Sequence, residues 1–228
     1  MITRLTKLLI VLPVFLLATL GKAHAVPHDI EAFASSYNYI AIDEARKHQI
    51  YVETSGVYGK DLSHPASATV RLAYDYSPNK YVSLFLGYTH AVSLYDGHYK
   101  SSNTIENNVW EQVVIKQDVL GVQVQHRLRQ EQRILEGKDG VLHRTRYQVK
   151  ATKPLTESGK FGVTAYNEVF INLNGDNKGY EKDQVAAGVF LKEGNTKYEL
   201  GVVAEHNANF GGDDRVIVGP AFSTTIDW

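Results

Sequence analysis

The sequence predicts an all-β fold, a transmembrane antiparallel up-and-down β-barrel of twelve strands, with ten as the alternative count. Three observations predict it. The chain opens with an export signal, its later segments place apolar residues on every second position, and it ends Phe222-Ser-Thr-Thr-Ile226-Asp-Trp228. After the signal no run stays apolar for more than about six residues, far short of the ~20 that a membrane helix needs. The remaining spanning solution is a closed barrel, because only closure satisfies every edge N–H and C=O in hydrocarbon.

At the start, Arg4 and Lys7 form a basic region, Leu8 to Leu20 is almost wholly apolar, and Ala23-His24-Ala25 is a small-x-small cleavage site. This core is too short to anchor the chain as a helix, so residues 1–25 are expected to be a cleaved signal peptide and 26–228 a single barrel domain. The chain contains no cysteine, which excludes lipoprotein acylation, disulfides and thiolate chemistry. Its net charge of −1 becomes −4 once Arg4, Lys7 and Lys22 leave, a mild acidity that argues against a nucleic-acid partner.

Eleven segments carry the strand period: 32–42, 47–57, 66–77, 81–94, 107–116, 120–134, 141–153, 161–173, 182–193, 196–207 and 214–228. In the third, Ala68, Val70, Leu72, Tyr74 and Tyr76 point to lipid while Thr69, Arg71, Ala73 and Asp75 point inward. Ser77-Pro78-Asn79-Lys80 then reads as a tight turn into Val82, Leu84, Leu86 and Tyr88, with Gly87 inward. The 107–116 segment is ambiguous, because Glu111 shares the face of Val109, Val113 and Ile115.

The sixth segment is the most telling. Val122, Val124 and Leu128 share one parity, and Gln123, Gln125, Arg127, Arg129, Glu131 and Arg133 share the other. Gly137 to Gly140 is the next turn; Val141, Tyr147, Val149 and Ala151 then oppose Arg144, Arg146, Gln148 and Lys150. Past a turn at Glu157-Ser-Gly-Lys160, Val163, Ala165, Val169 and Ile171 oppose Thr164, Tyr166, Glu168 and Asn172. Val185 to Leu191 opposes Gln184, Ala186 and Gly188, and after Glu193-Gly-Asn-Thr196 the row Tyr198, Leu200, Val202, Ala204 opposes Glu199, Gly201 and Glu205. The last segment puts Val216, Val218, Phe222, Ile226 and Trp228 outward and Arg215 and Asp227 inward, with a bulge expected at Pro220. Connections at 95–106, 173–181 and 207–213 read as long outer loops opposite short periplasmic turns. Single-chain bacterial barrels are normally even-stranded, which prompts twelve rather than eleven.

The inward positions carry the candidate site. Arg71, Arg127, Arg129, Arg133, Arg144, Arg146, Lys150 and Arg215 meet Glu53, Asp75, Glu131, Glu168, Glu199, Glu205 and Asp227, an interior near charge balance. Unpaired buried charges are costly, so a hydrogen-bonded network is expected, with Glu131 and Glu168 bridging the arginines. Such a network can be a rigid scaffold core, a narrow eyelet for small anionic or zwitterionic solutes, or a recognition site.

A family resemblance rests on Gln130-Glu-Gln-Arg133 after Arg127 and Arg129, on Arg144-Thr-Arg-Tyr147, and on Tyr166-Asn-Glu-Val-Phe-Ile-Asn-Leu-Asn174. In order and spacing these resemble the strand motifs of the domain of unknown function 2490 family. Gly179-Tyr-Glu-Lys-Asp-Gln184 and Tyr198-Glu-Leu-Gly201 resemble its next two strands. Asp183 and Gln184 stand where that family usually has Asn and Arg, and Val202 replaces an aromatic. The resemblance implies an outer-membrane-type barrel of a Gram-negative bacterium and no particular activity.

Other classes follow from other residues. A lipid-modifying hydrolase or acyltransferase would use a Ser/His pair near a rim, and His90, His206, Ser83 and Ser93 are the available groups. None lies in a nucleophile motif, so no catalytic residue is assigned. No cofactor or metal is expected, since His98, His126 and His143 are scattered, Asp213-Asp214 reads as loop, and Asn172 to Asn177 lacks the EF-hand spacing. A soluble periplasmic binding module would need the apolar row inside. Tyr74, Tyr76, Tyr88, Tyr147, Tyr198 and Trp228 are placed near strand ends, as an interfacial aromatic belt requires. The expected partners are outer-membrane lipid, lipopolysaccharide, a small solute, and the barrel-assembly machinery reading Phe222, Ile226 and Trp228.

Overall fold

Period-two alternation builds eleven strands: β1 (Asp29–Ala41), β2 (His48–Gly59), β3 (His64–Asn79), β4 (Val82–Tyr95), β5 (Ser101–Val119), β6 (Val122–Leu135), β7 (Leu142–Pro154), β8 (Phe161–Asn172), β9 (Gly179–Glu193), β10 (Thr196–Asn207) and β11 (Asp213–Ile226). This computed structural model describes residues 29–59, 62–95, 101–208 and 213–226, so the expected signal peptide, His98, Asp227 and Trp228 lie outside the described residues. Each strand pairs antiparallel with its sequence neighbours, and β1 pairs with β11 to close the barrel. The described count is near the twelve expected. An odd number closes because β1 and β11 run parallel, with Asp29 beside Arg215 and Ile40 beside Ile226; evenness is required only when every pair is antiparallel.

Register makes the two faces of the wall distinct. Val52, Leu72, Tyr88 and Val109 lie side by side across four strands on the outer face, and one residue away Glu53, Arg71, Thr89 and Asn108 form the matching inner row. Leu72 is 53% exposed, whereas Glu53 is 5% exposed. The soluble-module alternative requires the opposite arrangement and is corrected by this one: the apolar row faces outward around the wall.

Several boundaries differ from expectation for identifiable reasons. β5 begins at Ser101, so the expected 95–106 loop is largely strand. Its ambiguity resolves with Glu111 outward, accepting a hydrogen bond from Gln132 Nε2 at 3.1 Å, and Trp110 inward. Pro78 does not make the turn; β3 passes it with an irregularity between Tyr76 and Asn79, and Lys80-Tyr81 connects the strands. Pro220 causes no bulge against β10, where it sits in register with Leu200. Its missing N–H instead coincides with a gap at the seam, where pairing stops at Ala32 and Val218 and resumes at Ser35 and Ala221. Tyr88 and Tyr147 lie mid-strand rather than at strand ends; their hydroxyls are engaged by Asn107 at 2.6 Å and His126 at 2.9 Å.

One end of the barrel carries the two-residue turns Lys80-Tyr81, Leu120-Gly121 and Gly194-Asn195, together with six-residue connections at 42–47 and 155–160. The other carries the 136–141 and 173–178 connections, also of six residues, cross-tied because Asn174 accepts from the His143 N–H and donates to the Val141 carbonyl. The outward apolar row is continuous near the short-turn end. Toward the opposite end it gives way to His90, Asn107, Glu111, Gln130, Gln132 and Thr145, several of them bonded to one another.

Candidate functional site

The lumen is divided by its side chains into two halves. Inward arginines on β6 and β7 would face each other in like-charged rows, so carboxylates must separate them. Glu131, 1% exposed, does this for Arg144 at 2.7 Å, Arg146 at 3.1 Å and Arg129 at 3.7 Å. Glu168 on β8 accepts from Arg127 and Arg146, both at 2.8 Å, and from Gln148 at 3.1 Å. Arg133 grips Glu106 with two bonds of 2.9 and 2.7 Å, and Arg144 reaches over β8 to Glu181 on β9 at 3.2 Å. Pairs that skip a strand are chords across the barrel. Toward the end opposite the two-residue turns they form a plug.

Aromatic rings floor this network. Trp110 is fully buried, donates to Thr89 Oγ1 at 2.9 Å, and carries the Arg129 guanidinium 4.1 Å above its ring. Gly87 makes room for it, because a Cβ there would overlap the indole. Phe170 lies under Arg146 at 4.3 Å and Lys182 at 4.9 Å. Cations held on ring faces lose water but retain an electrostatic partner, which offsets part of the cost of burying them.

Below the plug, toward the short-turn end, is a cavity of about 390 Å³. Its wall includes Tyr37, Tyr39, Tyr51 and Tyr166, and Tyr51 donates to Glu53 at 2.6 Å, which also pairs with Arg71. At the mouth Glu199 is shared by Lys197 at 2.6 Å and by Lys150 at 3.5 Å, the latter skipping two strands. Arg71, Arg127, Arg129, Arg146, Lys150, Lys192 and Lys197 line this vestibule with Glu53, Glu168 and Glu199, and Arg129 and Arg146 also reach Glu131 in the plug. In the plug half Glu106, Glu131, Glu181 and Glu205 meet Arg133, Arg144 and Lys182 together with those two arginines. The interior is near balance as a whole, and its local excess of cations is at the vestibule mouth, where Lys150, Lys192 and Lys197 stand beside Glu199.

Residues 34–216 match the family described as protein of unknown function (DUF2490). The chain belongs to this family. No curated protein matches it. Among solved structures, the chain is similar to the outer-membrane expressed OmpT of Vibrio cholerae at 12% identity and a TM-score of 0.42, over 70% of this chain and 54% of that one. It is also similar to LpxR from Salmonella typhimurium at 10% identity and a TM-score of 0.43, over 76% and 82% of the two chains. The chain thus spans about half the length of OmpT. Likenesses this loose carry nothing about activity or solute.

Arg127, Arg129, Glu131, Arg133, Arg144, Arg146 and Glu168, expected from strand parity to share the interior, meet in the plug. Glu199 is at the vestibule mouth instead. Glu205 bonds Lys182 at 2.9 Å and Gln184 at 2.7 Å, so Lys182 supplies the cation absent at position 184. Arg215 pairs in register with Glu205, its side chain lying outside the described ones. Of the terminal residues only Ile226 has a described side chain, and it is exposed on the outer face.

The structure also holds charges that strand parity alone did not flag. Glu106 lay in the expected loop, and Glu181 turns inward at an irregularity between β8 and β9, where Phe170 pairs with Lys182 but Ile171 with Tyr180. Lys192 and Lys197 follow from extending the inward parity of Ala186 and Glu199 to the turn. The Ser/His pairing is corrected: Ser83 is buried on the inner face against Ser77, and Ser93 shares its parity, whereas His90 bonds Asn107 on the outer face. His206 stacks on Tyr180 outside the wall.

Proposed function

We propose that this DUF2490 barrel is an outer-membrane protein of a Gram-negative bacterium that acts as a closed scaffold, its lumen shut by the ion-pair plug. The observation that carries the reading is Glu131, which is almost inaccessible and pinned by arginines from β6 and β7 in the middle of the charged network. A conducting eyelet would need those charges hydrated; here they spend their donors on one another. The export signal, the outward apolar row and the closed ladder support the membrane setting. The short-turn end then faces the periplasm, and the polar outer residues His90, Glu111 and Gln132 meet lipopolysaccharide headgroups. Ile226 belongs to the segment offered to the barrel-assembly machinery.

Planar-bilayer recording tests the closed state. Wild type is expected to give no steady conductance. Glu168→Ala, which removes the acceptor shared by Arg127, Arg146 and Gln148, is expected to produce leak events while retaining the heat-modifiable gel mobility of a folded barrel. Steady wild-type current would replace the scaffold with a pore. A purified mature chain that stays monodisperse without detergent would remove the membrane setting altogether.

A further inference from the structure

We infer that the vestibule is a binding site for a small soluble polyanion, a molecule with clustered anionic oxygens such as a phosphate ester or a polycarboxylate. This deepens the scaffold reading and rests on its one-ended lumen. At its mouth Lys150, Lys192 and Lys197 stand beside a single carboxylate, Glu199, and open on a space of about 390 Å³, within the size range of small-molecule sites.

The mouth is where the imbalance is sharpest. Lys192 and Lys197 are direct cross-strand partners on the inner face, and both ammonium groups sit over the same Phe190 ring, at 5.6 and 5.0 Å from its centroid. Like charges directly opposite repel, and one ring is a weak substitute for a carboxylate. Glu199 is committed to Lys197 and Lys150, and among the described residues Lys192 has no carboxylate partner. A bound anion supplies the missing counter-charge.

The same wall offers neutral donors. Gln123, Gln125, Thr152 and Ser223 line the cavity near the lysines, so an oxyanion would find N–H and O–H groups beside the ammonium groups. Deeper in, Arg127 and Arg146 meet on Glu168 while Arg146 also bonds Glu131, so the unmatched positive charge stays at the mouth. Low-dielectric walls around a one-sign cluster focus the field toward the opening and raise the local concentration of anions. The geometry selects for charge density rather than for a long apolar tail, because phenols and amides occupy the positions where a tail would lie.

Calorimetric titration of the folded barrel in a non-ionic detergent tests this, with inorganic pyrophosphate and citrate as probes. Saturable 1:1 binding is expected, weakened at least tenfold between low and physiological salt. The Lys192→Gln/Lys197→Gln double variant is expected to bind at least about tenfold more weakly. Lys138→Gln, in the loop at the opposite end, serves as a charge-matched control and is expected to bind as wild type does. Gel mobility before and after heating reports that each variant is folded. No saturable binding of either probe, or a double variant that binds like wild type, overturns the inference. Preference for one probe over the other identifies the phosphate or the carboxylate class. Absence of binding in a non-conducting barrel sinks only the vestibule site, whereas binding in a conducting one sinks only the scaffold.

Discussion

The two halves of the lumen solve the same electrostatic problem in different ways. In the plug, Glu131 and Glu168 are surrounded by guanidinium groups, their ion pairs are buried, and Trp110 and Phe170 close the gaps. In the vestibule, phenols and lysines surround a space that remains empty of protein atoms. Arginine dominates the first and lysine the mouth of the second. The planar guanidinium fork can satisfy two carboxylates at once and stack on a ring, whereas an ammonium is a hydrated point charge suited to a wet entrance. The difference separates charges that hold the wall together from charges left available.

The largest expected effect breaks the plug. Glu131→Ala leaves Arg129, Arg144 and Arg146 without their common acceptor, and equilibrium unfolding in lipid vesicles is expected to show a loss of about 3–5 kcal/mol. Lys192→Ala in the vestibule, by contrast, is expected to change stability by no more than about 0.5 kcal/mol. Equal losses for the two variants would erase the distinction between the halves.

A smaller effect sharpens it through packing. Gly87→Ala places a methyl group in the Trp110 indole, the floor on which Arg129 rests. A loss of about 1–3 kcal/mol is expected, recovered in part by pairing it with Trp110→Leu. Failure of the second change to restore stability in the same unfolding assay would move the strain elsewhere.

The smallest effect lies outside the spanning wall, in the turn between β1 and β2. There the Asp43 carboxylate accepts the His48 N–H at 2.7 Å and the Lys47 N–H at 3.3 Å, and the His48 bond holds its pKa below the ordinary value. A depressed carboxyl stabilises the fold above the unfolded-state pKa and loses that contribution as pH falls through the folded value. Amide exchange at Lys47 and His48, taken relative to its intrinsic rate at each pH, is therefore expected to accelerate in acid, below about pH 4. Asp43→Asn should remove that acceleration; if exchange still rises with acid in the variant, another group is responsible.

Strand parity made much of this architecture legible. Arg127, Arg129, Glu131 and Arg133 could share a face only in an extended chain, and Val122, Val124 and Leu128 required the other face to meet something apolar. What parity could not reach were departures from strict alternation and the ends of strands. Glu181 enters the lumen at a local irregularity whose position depends on the neighbouring strand, and Glu106 depends on how far β5 extends. Ser83 was grouped by sequence proximity with His90, although an odd separation sends the two to opposite faces. The odd strand count was hidden for a related reason: a parallel closure is a property of the first and last strands together, and neither segment displays it alone.

That closure also carries an interruption in the ladder. Opposite Phe33 and Ala34 the rungs are interrupted, Pro220 has no N–H to donate, and Gly219 lies so close to the Phe33 carbonyl that no side chain fits between them. A cylinder with one thinned stave opens along that line before any other. Thermal breathing, forced extraction and sideways exchange with the bilayer should all begin between the first and last strands, leaving the arginine-rich wall on the far side intact.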